Sequence, residues 1–235
     1  MTRLVVVPGF TQTRSSWDAV VAALAAHGTA DVEAVDVPDA PTFATTAEAI
    51  GESNGRAIYC GYSMGGRLCL RLAIDRPDLV AGLILVSSTA GIEDPSERAA
   101  RIATDEELAT FVEREGVDAF LERWLAQPLF AGVPPDAPGI EDRRGLTVEF
   151  IAHGLRHLGA GTMDPMWDHL GRLTMPVGLI WGAQDGKYKR LGRLMERAIP
   201  NSVPCEVAHS GHAIPLEQPD ALAIALRSVL AYMPG

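Results

Sequence analysis

One serine of this chain stands where a catalytic nucleophile would have to be. Ser63 is the centre of the pentapeptide GYSMG at 61–65, which directly follows the apolar run 57–60 and precedes a helical pattern. A sharp turn from strand to helix exposes such a serine hydroxyl, and small flanking residues allow the backbone to bend that tightly. The pattern therefore predicts a nucleophile elbow with Ser63 as the catalytic serine.

A histidine and an aspartate later in the chain are suited to activate this serine. A serine hydroxyl becomes reactive when a neighbouring imidazole takes its proton and an acid orients that imidazole. His212 lies beyond the last predicted strand, and Asp185 comes soon after the apolar run 177–181. We expect Ser63, Asp185 and His212 to form a catalytic triad. His209, nearer the strand end, is the competing candidate for the base.

Two backbone N–H groups are expected to stabilise negative charge that develops on a substrate oxygen. In sites of this kind one N–H belongs to the residue after the nucleophile, and the other to the loop after an early strand. Met64 follows the serine, and Phe10 follows the apolar run 4–7 in the loop Pro-Gly-Phe. We expect Phe10 and Met64 to form the oxyanion hole.

Short apolar runs alternate with amphipathic stretches over most of the chain, which is typical of a largely parallel sheet covered by helices. The runs predicted as strands are 4–7, 32–37, 57–60, 83–86, 177–181 and 203–207. Helices are predicted between the first two runs, after the serine, over 191–199 and over 221–232. In such a sheet, ligands bind at the carboxyl ends of the strands, where the serine turn also lies.

The interval 91–174 breaks this alternation because it contains helical patterns and no convincing strand. A set of short helices over one edge of a sheet would enclose a ligand site. We therefore expect an α/β core formed by 1–90 and 175–235, with 91–174 inserted as a helical cap.

Two short patterns inside this interval predict where helices begin. Asp94 before Pro95 combines an N-cap residue with proline at the first helical position. Thr104 with Glu107 has the spacing of a capping box. The sequence thus predicts a helix start at each pattern.

Composition and charge exclude several classes of protein. The 235 residues are 47% hydrophobic and 21% charged, as in an ordinary globular protein. Twenty Lys and Arg against thirty Asp and Glu leave a formal charge of -10, which disfavours nucleic acid and anionic membranes as partners. The first apolar run is too short for a signal peptide or a membrane span. We expect a cytoplasmic protein, either a monomer or a small homo-oligomer.

The cysteines and the glycine patterns suggest no bound cofactor. The three cysteines have no CxxC spacing, so neither a disulfide framework nor a zinc site is indicated. The chain also lacks a dinucleotide-binding fingerprint. We therefore expect no metal ion and no organic cofactor.

The order of strand, serine elbow, helical interval, aspartate and histidine resembles the α/β-hydrolase fold over nearly the whole chain. Within that superfamily the sequence is most similar to the 2-succinyl-6-hydroxy-2,4-cyclohexadiene-1-carboxylate synthases of menaquinone biosynthesis. The resemblance rests on the segments GYSMGGR at 61–67, AAR at 99–101, WLAQPLF at 124–130, DGKY at 185–188, and GH at 211–212 followed by EQP at 217–219. One departure lies at Pro8, where the family usually has histidine.

This resemblance implies a lyase reaction. Such a synthase removes pyruvate from 2-succinyl-5-enolpyruvyl-6-hydroxy-3-cyclohexene-1-carboxylate, which is a trianion. It implies that Ser63, activated by His212, removes the proton next to the succinyl carbonyl, and that no acyl-enzyme forms. The alternative function is that of a serine hydrolase of the same fold, acting on a carboxylester or a carbon–carbon bond.

The resemblance also implies a set of substrate-binding side chains. The implied carboxylate partners are Arg67, Arg101, Arg144 and Lys187. The implied pocket-lining aromatic residues are Tyr62 and Trp124. Arginine suits the task because its planar fork binds a carboxylate at two points. Arg143 is the alternative to Arg144 because the two are adjacent in the sequence.

Overall fold

A computed structural model of the protein describes residues 3–29, 31–135, 137 and 139–234. Within these residues the strands are β1 (Leu4–Val7), β2 (Val32–Ala34), β3 (Ala57–Tyr62), β4 (Val80–Val86), β5 (Val177–Gly182) and β6 (Ser202–Val207). They form one sheet in the order β2-β1-β3-β4-β5-β6, and every pair of neighbours is parallel. The predicted α/β class and the mostly parallel sheet of about six strands are confirmed.

The strand sequences explain why the sheet is buried. All residues of β1, β3, β4 and β5 are buried, as expected for parallel strands with helices on both faces. The strand predicted over 32–37 is too long, since β2 ends at Ala34. It is an edge strand paired only with β1, and that pairing ends at Val6 opposite Ala34.

Eight α-helices accompany the strands in the part of the chain described. They are α1 (Asp18–Ala26), α2 (Phe43–Asn54), α3 (Met64–Asp75), α4 (Pro95–Leu125), α5 (Val148–His157), α6 (Gly186–Ala198), α7 (Ile214–Glu217) and α8 (Pro219–Leu230). Alternate residues of the strands bury against different helices, because successive side chains point to opposite faces. Leu4 and Val6 belong to the cluster that contains α1 and α8. Val5 and Val7 belong to the cluster that contains α2, α3 and α6.

Helix α2 was not predicted from the sequence. Thr42 caps it, since the Thr42 hydroxyl accepts from the N–H of Thr45 while the Thr45 hydroxyl accepts from the N–H of Thr42. The helix packs on α3 and buries Phe43, Ala47 and Ile50. Its remaining residues are mostly small or polar, so its apolar stripe is narrow.

The segment between β4 and β5 contains α4 and α5 and no described strand. Helix α4 begins where Asp94 predicts, and the Asp94 carboxylate accepts from the N–H of Glu97. The second predicted start, at Thr104, is wrong. Thr104 lies inside α4 and its hydroxyl donates to the carbonyl of Ala100, because the helix continues to a break at Gly116, whose φ is 83°. None of the helices among the described residues is both long enough and apolar enough to cross a membrane.

Candidate active site

Ser63 lies at the junction of β3 and α3 with φ 51° and ψ −108°, a left-handed backbone that side-chain-bearing residues seldom adopt. The glycines on either side make this turn possible. A Cβ at Gly61 would overlap the backbone of Gly65, and a Cβ at Gly65 would overlap the carbonyl oxygen of Val7. The turn places Ser63 at the carboxyl edge of the sheet, where β1, β3 and β5 all end.

The structure brings the serine, the histidine and the aspartate together. His212 Nε2 lies 3.1 Å from Ser63 Oγ, and His212 Nδ1 lies 2.8 Å from Asp185 Oδ2. Asp185 also caps α6, because its other oxygen accepts from the N–H of Tyr188 at 3.0 Å. His212 is only 2% exposed. His209, in contrast, is exposed and has φ 56°. The contact with Ser63 therefore belongs to His212.

A carboxylate on α7 holds the loop that carries the histidine. The two oxygens of Glu217 accept from the N–H groups of Gly211, at 2.5 Å, and Ala213, at 2.8 Å. These are the residues immediately before and after His212. The loop is therefore bound on both sides of the imidazole by one side chain.

Phe10 and Met64 occupy the places expected for an oxyanion hole. Phe10 follows β1 and Met64 is the first residue of α3, so the Met64 N–H lies at a helix N-terminus, where amides are free for an external acceptor. Across the described residues, neither N–H has a hydrogen-bond acceptor. The loop around Phe10 is fixed by Gln12, whose side chain accepts from the N–H of Gly9 at 3.1 Å.

A cavity of about 190 Å³ lies against Ser63 and His212. Its apolar wall comes from the loop after β1 and from the segment between β4 and β5. The residues of that wall include Phe10, Leu108, Trp124, Leu129, Phe130, Leu155 and Leu158. The ring of Trp124 makes an edge contact with Phe10 at 5.2 Å and stacks on Phe120 at 5.8 Å. Tyr62 also lines the cavity, so both predicted aromatic residues, Tyr62 and Trp124, lie there.

Two of the four predicted cations line this cavity. Arg67 is 7% exposed, and its Nη1 donates to the carbonyl of Leu158 and to the sulfur of Met163. Burial lowers the pKa of Arg67 to about 10, so the guanidinium stays charged at neutral pH. Arg101, on α4, forms an ion pair with the buried Asp105. The cavity therefore contains two guanidinium groups close to the serine.

The other two predicted cations, Arg144 and Lys187, are not among the residues that line this cavity. Arg144 is exposed and pairs with Asp118 and Glu141 on the surface, so its charge is already matched there. Lys187 is also exposed, and its ammonium lies 5.7 Å from the centre of the Tyr188 ring. The residue after it, Tyr188, lines the cavity instead.

Arg143, the alternative to Arg144, is 1% exposed. Its Nη1 donates to the hydroxyl of Thr11 at 3.2 Å, next to the expected oxyanion residue Phe10. Its Nε and Nη2 are buried and have no acceptor among the described residues. Burial lowers the pKa of Arg143. Buried N–H groups without an acceptor are costly, so these two nitrogens oppose the burial of the Arg143 side chain.

Sequence reasoning missed several polar residues of the cavity, and two of them, Tyr188 and Asp105, contact predicted site residues. The ring of Tyr188 lies 4.2 Å from that of His212, and burial raises the pKa of Tyr188. Asp105 lies in the cavity wall beside Arg101. The spacing of four residues between Arg101 and Asp105 signals an ion pair on one helix face, but not that this face is turned inward.

Nothing in the described part of the chain is arranged as a metal site, since no group of three His, Cys, Asp or Glu side chains could hold an ion there. The arrangement that the structure does contain is a serine–histidine–aspartate set beside two free backbone amides and a partly cationic cavity. Such a set can transfer a proton to or from a bound molecule and stabilise an oxyanion.

Sequence comparison agrees with this architecture. The sequence matches the alpha/beta hydrolase family over residues 4–225. The chain therefore belongs to the alpha/beta hydrolase family.

Within the family, the relatives include proteins named for one reaction. The chain is 34% identical over 165 residues to a Bacillus subtilis protein provisionally named 2-succinyl-6-hydroxy-2,4-cyclohexadiene-1-carboxylate synthase, covering 68% of this chain and 60% of that one. It is 30% identical over 174 residues to the Serratia proteamaculans protein of that name, covering 72% and 66%. The aligned parts thus span less than two thirds of either relative.

Among solved structures, MenH from S. aureus has a TM-score of 0.88 and 23% sequence identity. The match covers 97% of this chain and 93% of that one. At this identity the likeness shows a shared fold.

Proposed function

We propose that this protein is a carbon–oxygen lyase of menaquinone biosynthesis. It eliminates pyruvate from 2-succinyl-5-enolpyruvyl-6-hydroxy-3-cyclohexene-1-carboxylate and gives 2-succinyl-6-hydroxy-2,4-cyclohexadiene-1-carboxylate. The names of the Bacillus and Serratia relatives support this reaction. The observation that carries the proposal is the pair of guanidinium groups, Arg67 and Arg101, in the cavity beside Ser63.

The charge of the cavity favours a polyanionic substrate. The whole chain has a formal charge of -10, so its general field repels a trianion and binding requires local cations. Arg67 and Arg101 line the cavity, and Arg143 has two unpaired nitrogens close to the expected oxyanion loop. Burying guanidinium groups is expensive unless a partner compensates them. Three carboxylates on the substrate would supply that compensation.

In the proposed mechanism the triad acts as a proton-transfer unit. His212 Nε2 takes the proton of Ser63 Oγ, while the carboxylate of Asp185 orients the imidazole and stabilises its positive charge. The serine oxygen removes the ring proton next to the succinyl carbonyl. The electrons of that C–H bond form one ring double bond, the existing double bond shifts by one position, and the bond to the enolpyruvyl oxygen breaks. Protonation of the released enolate gives pyruvate.

The oxyanion hole supports the same step. Removing the proton places negative charge on the succinyl carbonyl oxygen. The N–H groups of Phe10 and Met64 would donate to that oxygen, and they are free to do so because they have no acceptor among the described residues. Donors that are fixed before the reaction lower the barrier without reorganisation.

We also propose that the segment 91–174 acts as a cap over a core formed by 1–90 and 175–235. This segment supplies Arg101, Trp124 and Leu155 to the cavity wall, while the core supplies the triad. A substrate held between the two parts would be shielded from water.

The alternative is a serine hydrolase that uses the same triad. The apolar wall around Trp124 and Phe130 suits a neutral ester, and an activated Ser63 could attack its carbonyl. The two functions differ in what they require of the cations, because a neutral ester has no carboxylate for Arg101 to bind.

The variant Arg101→Ala separates the two functions. Assayed on the enolpyruvyl trianion, it is expected to lose at least about tenfold in kcat/KM, since one carboxylate of the bound substrate would be left without its cation. Hydrolysis of a neutral p-nitrophenyl ester is expected to stay within about twofold of wild type. Arg114→Ala is the matched control, because Arg114 is an exposed arginine of the same helix that pairs with Glu115.

Equal losses on both substrates would show that the substitution disturbs the helix rather than substrate binding. An undiminished kcat/KM on the trianion would remove the main support for the lyase.

A further inference from the structure

The cavity proposed to bind three carboxylates contains a carboxylate of its own. Asp105, on α4, is 2% exposed and lines the cavity together with Arg67 and Arg101. A negative charge at this position repels an anionic substrate. Asp105 must therefore favour substrate binding in another way if the cavity is to bind carboxylates. The contacts of Asp105 indicate what that is.

Asp105 binds Arg101 at one particular nitrogen. The Nε of Arg101 donates to both carboxylate oxygens of Asp105, at 2.9 and 2.8 Å. The two terminal nitrogens, Nη1 and Nη2, have no acceptor within the described ranges of the chain. Those two nitrogens form the fork edge with which a guanidinium binds a further carboxylate. The contact therefore fixes the side chain and leaves its fork available.

A purely stabilising role does not account for this pair. Ion pairs four residues apart on a helix surface contribute only a few tenths of a kcal/mol. Burial removes even that advantage, because desolvation of the carboxylate offsets the attraction, and replacing a buried pair with apolar residues is often neutral or stabilising. Burial indeed raises the pKa of Asp105 in spite of the adjacent Arg101.

The surroundings of Asp105 hold its carboxylate in place. A Cβ added to Gly159 would lie 2.5 Å from Asp105 Oδ2 and 2.8 Å from the carbonyl oxygen of Leu155. The chain at Gly159 thus packs directly against the carboxylate. Burial is the main cause that lowers the pKa of Arg67; the positive charge of Arg101 lowers it further, and the negative charge of Asp105 acts in the opposite direction. The carboxylate thereby reduces the repulsion between two cations that share the cavity.

We propose that Asp105 is a positioning residue for anion recognition. It holds Arg101 by Nε so that the two terminal nitrogens bind one carboxylate of the substrate. This inference rests on the proposed function, since it assigns the anionic end of the same substrate to Arg101.

A double-mutant cycle tests whether Asp105 acts through Arg101. In the wild-type background, Asp105→Ala is expected to lower kcat/KM for the enolpyruvyl trianion about tenfold, mainly through KM, because coupled neighbours interact by such amounts. In the Arg101→Ala background the same substitution is expected to change kcat/KM by less than about twofold. Asp105→Asn keeps an oxygen for Nε and is expected to recover part of the loss.

The controls keep a structural effect apart from a positioning effect. Glu107→Ala removes an acid from the exposed side of the same helix and is expected to leave kcat/KM unchanged. Circular dichroism and thermal unfolding identify a variant that does not fold, in which case Asp105→Asn provides the cycle. Binding of the diene product, followed by the fluorescence of Trp124, supplies an affinity without turnover.

Two outcomes would overturn the inference. The first is a loss on Asp105→Ala of the same factor in both backgrounds, and the second is an equal loss on the trianion and on a neutral ester. Failure of the proposed function looks different, because wild-type protein would then neither release pyruvate nor bind the diene, and the inference would fall with it.

Discussion

Three arginines near the site differ in how their guanidinium groups are paired. Arg67 satisfies one nitrogen with a backbone carbonyl, and Arg101 is held by a carboxylate. Arg143 has a single hydrogen bond, to Thr11, while its Nε and Nη2 have none in the described chain. A buried N–H without an acceptor costs roughly 1 to 3 kcal/mol, and an anion that reached Arg143 would offset that cost.

The adjacent arginines give a matched pair for testing this difference. Arg143→Met keeps the length of the buried stem and removes the charge, and it is expected to lower kcat/KM for the enolpyruvyl trianion at least about tenfold. Arg144→Met removes an exposed cation that is paired on the surface, and its kcat/KM is expected to stay within about twofold of wild type. Both are measured by pyruvate release from the trianion.

Because an unpaired buried charge is costly, Arg143→Met is expected to unfold at a temperature no lower than wild type. A loss of activity in Arg144→Met with none in Arg143→Met would indicate that Arg144, and not Arg143, binds a carboxylate of the substrate.

The sequence could identify the triad residues and could not choose between the two arginines. Ser63, Asp185 and His212 each follow a recognisable strand, so their places at one edge of the sheet follow from chain order. Arg143 and Arg144 differ by one position in a short 3₁₀ segment, and no periodicity around them indicates which side faces inward. Tyr188 was missed for a similar reason, because the capping of α6 by Asp185 decides which residue of the first turn faces the cavity.

The loop between β6 and α7 is the element that places the imidazole. It has no regular secondary structure. Its backbone is held instead by Glu217, which accepts from the N–H groups on either side of His212. Errors of about 1 Å in the position of a catalytic group can reduce rates by roughly a hundredfold. In the proposed mechanism Glu217 therefore affects the rate by holding His212 in position, although it does not line the cavity.

Substitution of Glu217 should act on the chemical step. Glu217→Ala leaves two amides without their acceptor and is expected to lower kcat by about tenfold to a hundredfold, with KM nearly unchanged. Glu217→Gln keeps one acceptor oxygen and is expected to recover part of kcat. Steady-state kinetics on the trianion provide both constants. A rise in KM at constant kcat, or equal effects of the two variants, would contradict this role.

Other elements differ in how well their sequences predicted them. The strands were predictable because β1, β3, β4 and β5 are uninterrupted apolar runs, which burial on both faces requires. Helix α2 was missed because its inward stripe depends on small side chains such as Ala47. The helix start predicted at Thr104 was wrong because Thr104 and Glu107 match the local pattern of a helix start, while the turns on both sides of Thr104 are helical.

At the scale of the whole molecule, the proposed function requires cations at the cavity in a protein whose net charge is negative. The whole chain has a net charge of -10, whereas two arginines, the buried Arg67 and the partly exposed Arg101, line the cavity between the carboxyl edge of the sheet and the segment from β4 to β5. The sheet and its helices hold the triad, while the segment between β4 and β5 supplies most of the residues of the cavity wall. In the proposed function, the choice of substrate therefore depends both on the core that holds the triad and on the segment that lines the cavity.

The most direct test of the proposed function is turnover of the enolpyruvyl trianion by wild-type protein. We expect conjugated diene and pyruvate to form in equal amounts, faster than without protein, with the diene followed by absorbance and pyruvate by coupled reduction. Folded Ser63→Ala and His212→Ala are expected to lose at least about a thousandfold, because the two residues act as one unit. A wild-type protein that hydrolyses a neutral ester but forms neither product, or a folded Ser63→Ala that retains the wild-type rate, would contradict the lyase.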